Sequence, residues 1–511
     1  MSRGLCQRVN SCGSAWILSA LVFAVNVIDV DAYSCHEVRT AFQLRQVGPP
    51  QRVPETPGRD VDLMVCKHQG PSCCTRKMEE SYQLAVKRET LHNIQSYSYE
   101  LEHLISGHSD AFQDMFQYLL SFSQGHLSSL LEGTYSSLSR QALPYVNQLF
   151  SSLSLYIRGA NVSAEASIHQ FYNSLFPLVY TRLINPGLEG GMTMGREMDD
   201  CLRMIRQDVN PFGPHPGVMA EELAAALGAG RRLGLALEEG LEVMNATEHV
   251  SMSKECVKGL VKMVYCSHCR GLTLIKPCVG YCLNVMRGCL ASMSELDQPW
   301  RRYTSLLEQL THATAGHHSL ELALLGVRGY VNEALLYAQL HGPLITATLN
   351  EGHILSIQRV SFPPCAFLLR EFLMYLQRYK SFFAALPEML CEGENVVDDS
   401  TCWSGDEVVE SYAGRVVGNG LHAQRQNPEV KVRSPNPTLA EVKERLELFN
   451  QVGSCKEYRG GCKRSGMILK RTRKKRAISH SPLRPLEETN GPGSGSSLHV
   501  CPFVALKSVH K

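Results

Sequence analysis

The chain has 511 residues and a mass of 56.8 kDa; 44% of residues are hydrophobic and 20% charged, which excludes wholesale disorder and allows a large core. Its 19 cysteines are too many for an ordinary reduced cytosolic protein and too few for a mini-protein held by disulfides alone. The net charge of +2 conceals two unlike parts: residues 455–476 carry +9 and residues 33–454 carry −8, a sign that argues against a nucleic-acid-binding body.

At the start, Arg3 and Arg8 precede the apolar run Ala15 to Val25, and small Ala32 follows Val30-Asp31. That order of basic, apolar and small residues is a secretory signal over 1–32, with cleavage expected after Ala32 and removal of Cys6 and Cys12. Residues 46–60 are Pro-rich and are expected to be a connector. From Thr75 to about Leu120, Leu91, Ile94, Leu101, Leu104 or Ile105, Phe112, Met115 or Phe116, and Leu119 or Leu120 mostly recur at helical spacing. No proline interrupts this stretch, so the helix is free to be very long. Further stripes are Leu320, Leu324, Val327, Val331 and Leu335, then Leu439, Val442, Leu446 and Phe449, opened by Pro437-Thr438 and stopped near Gly453. Alternating β-branched runs are scarce. The expected fold is all-α, a body over 33–452 followed by a flexible basic tail over 453–511 where periodicity ends. No later stretch is apolar enough to cross a bilayer, and the apolar end near 500–506 is too short for a lipid-anchor signal, so the chain as written is expected as a soluble secreted product.

Fourteen cysteines fall within the body: Cys35, Cys66, Cys73, Cys74, Cys201, Cys256, Cys266, Cys269, Cys278, Cys282, Cys289, Cys365, Cys391 and Cys402. An even number in a secreted body implies seven disulfides, although spacing alone does not give the pairing. Adjacent Cys73 and Cys74 are poor partners for each other because of ring strain. The dense patch lies at 256–289 and contains Cys266-x2-Cys269, Cys278-x3-Cys282 and Cys289. A four-thiolate zinc site is disfavoured because an oxidising compartment consumes thiols, and a redox CxxC is disfavoured because no βαβ pattern surrounds it. His268, inside the CxxC, reads as a polar surface histidine.

The patch, with Gly271-Leu272, Pro277-Cys278, Tyr281-Cys282, Val285 and Gly288-Cys289, resembles the glypican signature. So do CCTRKMEESYQLA (73–85), SLFPLVYTRLINPGL (174–188) and VVGNGLHAQRQNPEVKV (416–432). The resemblance covers about 33–454 and is closest to the three/five subgroup. It implies an elongated, disulfide-stapled helical core, heparan sulfate on a flexible stalk and a glycosylphosphatidylinositol anchor at the outer face of the plasma membrane. Family order implies the pairs Cys35–Cys73, Cys66–Cys266, Cys74–Cys269, Cys201–Cys365, Cys256–Cys289, Cys278–Cys402 and Cys282–Cys391. Around Ser356–Phe372 the sequence departs from the family, and Gln358-Arg359 is a poor remnant of its convertase site. Cys278-x3-Cys282-x6-Cys289 also resembles part of the frizzled cysteine-rich module, which holds Wnt acyl chains.

Asn161-Val-Ser163 and Asn245-Ala-Thr247 are expected N-glycan sites. Among Ser-Gly pairs, Ser494, in NGPGSGSS with Glu487 and Glu488 upstream, is the best heparan sulfate attachment site. Ser465 is second, set in a Lys/Arg-rich stretch where the family stalk is acidic. Ser106 and Ser404 fall inside the expected core. The run Lys470 to Arg476 offers a sulfate-binding or furin-type cleavage segment. No HExxH, GxSxG or P-loop occurs, so no enzyme and no cofactor are expected. The resemblance implies a cell-surface coreceptor with a monomeric core. It engages secreted growth factors and morphogens (Wnt, Hedgehog, fibroblast growth factor and bone morphogenetic protein) mainly through heparan sulfate. The same core without an anchor implies a ligand-sequestering decoy.

Overall fold

A computed structural model describes residues 34–59, 61–186, 196–315, 319–348, 369–393, 396–397 and 401–453. The signal, Cys365, Ser465, Ser494 and the basic tail lie outside the described residues. In chain order the principal helices are α1 (His36–Leu44), α2 (Arg76–Thr134), α3 (Ser136–Ile157), α4 (Ala164–Val179), α5 (Arg196–Val209), α6 (His215–Glu248), α7 (Lys254–Val264), α8 (Val279–Cys289), α9 (Asp297–Ala315), α10 (Leu320–Leu340), α11 (Gly342–Thr348), α12 (Leu369–Arg378), α13 (Phe382–Leu390) and α14 (Pro437–Gly453). The described strands are β1 (Cys402–Trp403) and β2 (Val408–Val409), paired antiparallel. The fold is all-α, as its apolar spacing predicts.

Helix ends follow local chemistry. Ser163, Ser253 and Ser319 each accept a backbone N–H three residues on, at 3.1, 3.2 and 3.2 Å, capping α4, α7 and α10. The Asn436 side-chain oxygen accepts from Thr438 and Leu439, two and three residues on, and Pro437 occupies the first turn of α14, where a missing N–H costs nothing. Helix α2 runs 14 residues beyond the expected end at Leu120. Leu127 and Leu131, both fully buried, carry the apolar stripe onward without a proline to stop it.

The described residues divide into two compact units. One combines residues up to Ile94 with Ser251–Ser294 and Ala385–Pro435. The cysteine-rich patch is therefore no module of its own; it packs with chain from both ends of the body. The expected connector at 46–60 is also part of this unit. Val47 and Val53 are buried, Cys35 N–H donates to the Glu55 carbonyl at 3.2 Å, and Gly58 and Ser72 exchange backbone hydrogen bonds at 2.9 Å. Proline-rich composition removes helix here, but it does not prevent the segment from being tied down by its flanks.

The second unit, Gln95–Val250, Glu295–Ala384 and residues from Asn436 onward, is built around α6. This helix packs against α3, α4, α9, α10 and α14. It does so because small residues line it: Ala220, Ala226, Ala229, Gly230, Ala236 and Gly240 are all buried. Tyr303 of α9 uses one such gap, donating its hydroxyl to the Ala236 carbonyl at 2.9 Å. Helix α14 buries Leu439, Val442 and Leu446, and Arg445 binds Glu239 and Glu242 of α6, each at 2.7 Å.

A Cβ at Gly240 would overlap the Tyr303 hydroxyl. Gly240→Ala is expected to destabilise this unit by about 1–3 kcal/mol, because an extra carbon must be forced into a filled interior. Thermal unfolding measures the loss. Adding Tyr303→Phe to that variant, which removes the clashing oxygen, recovers part of it.

Candidate functional site

All six disulfides among the described residues lie in the first unit. They join Cys35 to Cys73, Cys66 to Cys266, Cys74 to Cys269, Cys256 to Cys289, Cys278 to Cys402 and Cys282 to Cys391. These twelve cysteines come together in the pairs named above from the family order. Cys201, in the other unit, is also disulfide-bonded. The two cysteines of the CxxC take separate partners, from 200 and 195 residues earlier, so no dithiol remains there for redox exchange or for zinc. No group of three potential metal-ligating His, Cys, Asp or Glu side chains occurs among the described residues.

Beneath this staple lies an aromatic cluster. Tyr82 of α2 stacks on Tyr265 at 4.4 Å between ring centroids, and His268 meets both rings edge-on at 6.4 and 5.6 Å. The Arg45 guanidinium caps the Tyr265 ring at 5.3 Å. Tyr265 donates to Glu89 at 2.7 Å. Burial pushes both tyrosines far above their usual range. His268 is 4% exposed, not the surface residue its polarity suggests. It occupies the turn between Cys266 and Cys269, and two disulfides pull that turn inward against α2. Burial first, and the Arg45 charge second, lower its pKa to about 4.

Glu79 is a buried carboxylate that sequence pattern alone does not reveal. It is 1% exposed and accepts the backbone N–H groups of Met64, Val65 and Cys66 at 2.7, 2.9 and 2.8 Å. Three charge-assisted bonds thus hold the loop that presents Cys66 to Cys266. A second polar node joins α8 to the 412–430 segment. Asn284, fully buried, donates to the Tyr412 hydroxyl and the Arg415 carbonyl at 3.0 Å each and accepts the Val417 N–H at 2.9 Å. Asn427, equally buried, donates to the Asn284 carbonyl at 2.7 Å and accepts from Glu429 and Val430. Arg287 closes the node, reaching Glu388 at 2.6 Å and the Val417 carbonyl at 2.6 Å.

Small residues allow these contacts. A Cβ at Gly288 would overlap Val430, so α8 and this segment touch backbone to side chain. Gly405 has φ +102° and lies against the Tyr281 hydroxyl, a place only glycine fits. Ser404 is accordingly a hairpin residue, its hydroxyl donated to the Glu407 carbonyl at 2.9 Å. Ser106 lies within α2. Asn161 is exposed just before α4, and Asn245 is exposed on α6, with Thr247 buried beneath it.

Glu79 lies in the 73–85 stretch and Asn427 in the 416–432 stretch, two of those that carry the resemblance. The glypican family model matches residues 18–352 and 365–461. The chain belongs to the glypican family. It is 39% and 38% identical to mouse and human glypican-5, over 82% of this chain and 77% of theirs. It is 30% identical to zebrafish glypican-3 over 86% of this chain and 77% of that protein. The crystal structure of full-length glypican-1 core protein matches at a TM-score of 0.71 and 27% identity, covering 82% of this chain and 98% of that one. The structure of Dally-like protein in complex with O-palmitoleoyl serine shares the fold at a TM-score of 0.58 and 21% identity. The family is one of heparan sulfate proteoglycan core proteins, found outside the cell or at its surface. No helix among the described residues is long and apolar enough to cross a membrane.

Two outcomes test the staple. Glu79→Gln leaves one acceptor oxygen for three N–H groups, two of them buried, and the expected loss is about 2–4 kcal/mol; peptide mapping of the purified protein should show less Cys66–Cys266 pairing. For His268 the folded pKa is depressed from 6.5 to about 4. Its neutral form is bound by the fold, so stability is fully present above about pH 6.5 and declines as pH falls toward 4. Denaturant unfolding at pH 7.5 and pH 5 is expected to differ by about 2 kcal/mol from this group. His268→Gln should flatten that dependence.

Proposed function

We propose that this chain is a heparan sulfate proteoglycan coreceptor at the cell surface, binding secreted growth factors and morphogens and presenting or withholding them from their receptors. The observation that carries the proposal is the family match across residues 18–352 and 365–461. The ligand classes are those of the family: Wnt, Hedgehog, fibroblast growth factor and bone morphogenetic protein. Sulfated chains on Ser494, with Ser465 second, would concentrate basic ligands by charge. The acidic body, −8 over residues 33–454, supplies no comparable polyanion in a single flexible strand. Asn161 and Asn245 are the proposed N-glycan sites, both with exposed side chains. A glycosylphosphatidylinositol anchor would hold the core at the outer leaflet.

The disulfide-stapled unit is proposed to hold the core rigid while ligands act on the chains. The acyl-serine complex named for Dally-like protein supports a second, core-borne mode for lipidated ligands, since the fold is shared.

The decisive measurement is electrophoresis of the purified protein before and after heparinase. A diffuse, high-mass species should collapse to a band near the core mass, and Ser494→Ala should remove most of the shift. Migration insensitive to heparinase overturns the proposal. Capture of a basic growth factor should weaken as NaCl rises, because the Debye length shrinks from about 10 Å at 0.1 M to about 3 Å at 1 M. Phospholipase C release from intact cells supports the anchor; full secretion without treatment supports a decoy.

A further inference from the structure

The body is acidic overall, yet two of its segments are not. Residues 33–94 carry +2 and residues 251–294 carry +5, against −5 for 385–435 and −8 for the whole of 33–454. Of the nine Lys and Arg of residues 33–94, five gather where the segment after α1 docks on the first turns of α2. Arg52 donates to Ser81, and the Arg52 carbonyl accepts from Thr75 at 3.2 Å. Arg88 reaches back to the carbonyls of Arg45 and Gln46 at 3.3 Å. Arg45 rests on the Tyr265 ring. Lys77 and Arg88 share the α2 face that carries Ser81, three turns of one stripe, with Lys87 beside it.

Arg45, Arg52, Lys77, Lys87 and Arg88 are all exposed, and among the described residues none forms an ion pair with a carboxylate. Glu80 is exposed on this part of α2, half-buried Glu89 accepts the Tyr265 hydroxyl beside Arg45, and buried Glu79 is committed to backbone amides. Leu84, 68% exposed, sits amid the cations. Each arginine is already held by a hydrogen bond or a ring, so little freedom is lost when an anion arrives. Planar guanidiniums with spare N–H donors suit sulfate and carboxylate oxygens.

We propose that this patch is a docking site for a sulfated glycosaminoglycan, engaged by the folded core itself and not through any chain the protein carries covalently. Five unpaired cations in one strip match a linear polyanion better than a single small ion. The patch thus lets the core hold a sulfated chain of a neighbouring proteoglycan.

The test uses full-length protein stripped of its own chains with heparinase, and a heparin decasaccharide as probe. Because the ten Lys and Arg of residues 455–476 form a second basic run, all ten are changed to Gln in the parent for the comparison. That parent is expected to retain decasaccharide binding with a clear salt dependence. Lys77→Gln with Lys87→Gln should weaken it about three- to tenfold at 0.15 M NaCl and flatten the salt dependence, as expected when fewer counterions are released. Neither lysine side chain makes a hydrogen bond or ion pair among the described residues, so the thermal midpoint should not move. Adding Arg52→Gln should weaken binding further. Equal affinity of the double variant and its parent overturns the proposal. So does loss of all binding on neutralising the tail alone, or binding of phosphatidylserine vesicles that heparin does not displace. The result stands whether or not the protein proves to carry heparan sulfate, because the probe is added in solution.

Discussion

Two half-cystines three residues apart set the architecture of the cysteine-rich unit. Cys266 and Cys269 take partners from Cys66 and Cys74, so a short turn is fixed to chain made about 200 residues earlier. Cys74 is the residue next to Cys73, which binds Cys35, so the start of α2 is fastened on two sides at once. A crosslink closing a loop of this length stabilises chiefly by limiting the unfolded chain, by about 5 kcal/mol in the entropic account when taken alone. Nested loops share that restriction, so the bridges do not add. What they do impose is location: the aromatic cluster of Tyr82, Tyr265 and His268 exists because the turn carrying two of its members cannot leave α2. A polar imidazole is held in a dry site as a consequence of where its flanking cysteines are bonded.

The helices were legible because their cause is local. The stripes lie where side chains three and four apart share a face, and the structure buries most of them: 320–335 throughout, and the others apart from exposed Met115 and half-buried Leu91, Leu104 and Phe449. Extension of α2 to Thr134 required only the same pattern to be followed through Leu127 and Leu131. The candidate site was legible in its cysteines and glycines, which carry the family resemblance. It was not legible in its polar nodes. Glu79, Asn284 and Asn427 are ordinary hydrophilic residues in composition, and their burial follows from backbone groups supplied by segments 13 to 143 residues away. The signal that would have found them was inside motifs already quoted: Glu79 lies in CCTRKMEESYQLA and Asn427 in VVGNGLHAQRQNPEVKV. His268 misled for the same reason, since its burial comes from two bonds made by its neighbours. The 46–60 segment misled because proline forbids helix without forbidding packing.

Polar specificity and apolar closeness divide the labour within the stapled unit. Gly259, Gly280 and Gly288 bring α7 and α8 against Val430, Tyr412 and Val416, distances at which a methyl group has no room. The surface where these segments meet is then too tight to tolerate an unpaired polar atom, and the Asn284 and Asn427 amides meet that requirement by accepting and donating to backbone on both sides. Such a joint resists repacking more than an apolar one of equal area, because shifting register would strand several buried donors together.

Charge follows a different logic from packing. The acidic excess of the body would oppose a sulfated polymer at any surface where charge is averaged over the Debye length. The cations of the first α2 turns escape that averaging because they are local and are held in place by contacts that the fold needs anyway: Arg88 secures the end of α1, Arg52 secures Ser81, and Arg45 covers an aromatic ring. A guanidinium anchored through one edge to a carbonyl still presents the other to solvent, so structural use and anion binding are compatible in one side chain. Lys77 and Lys87 have no such structural contact among the described residues. Conserving their charge would serve only an external partner, which makes the pair, and not the arginines, the residues on which a distinction between scaffold and binding surface turns.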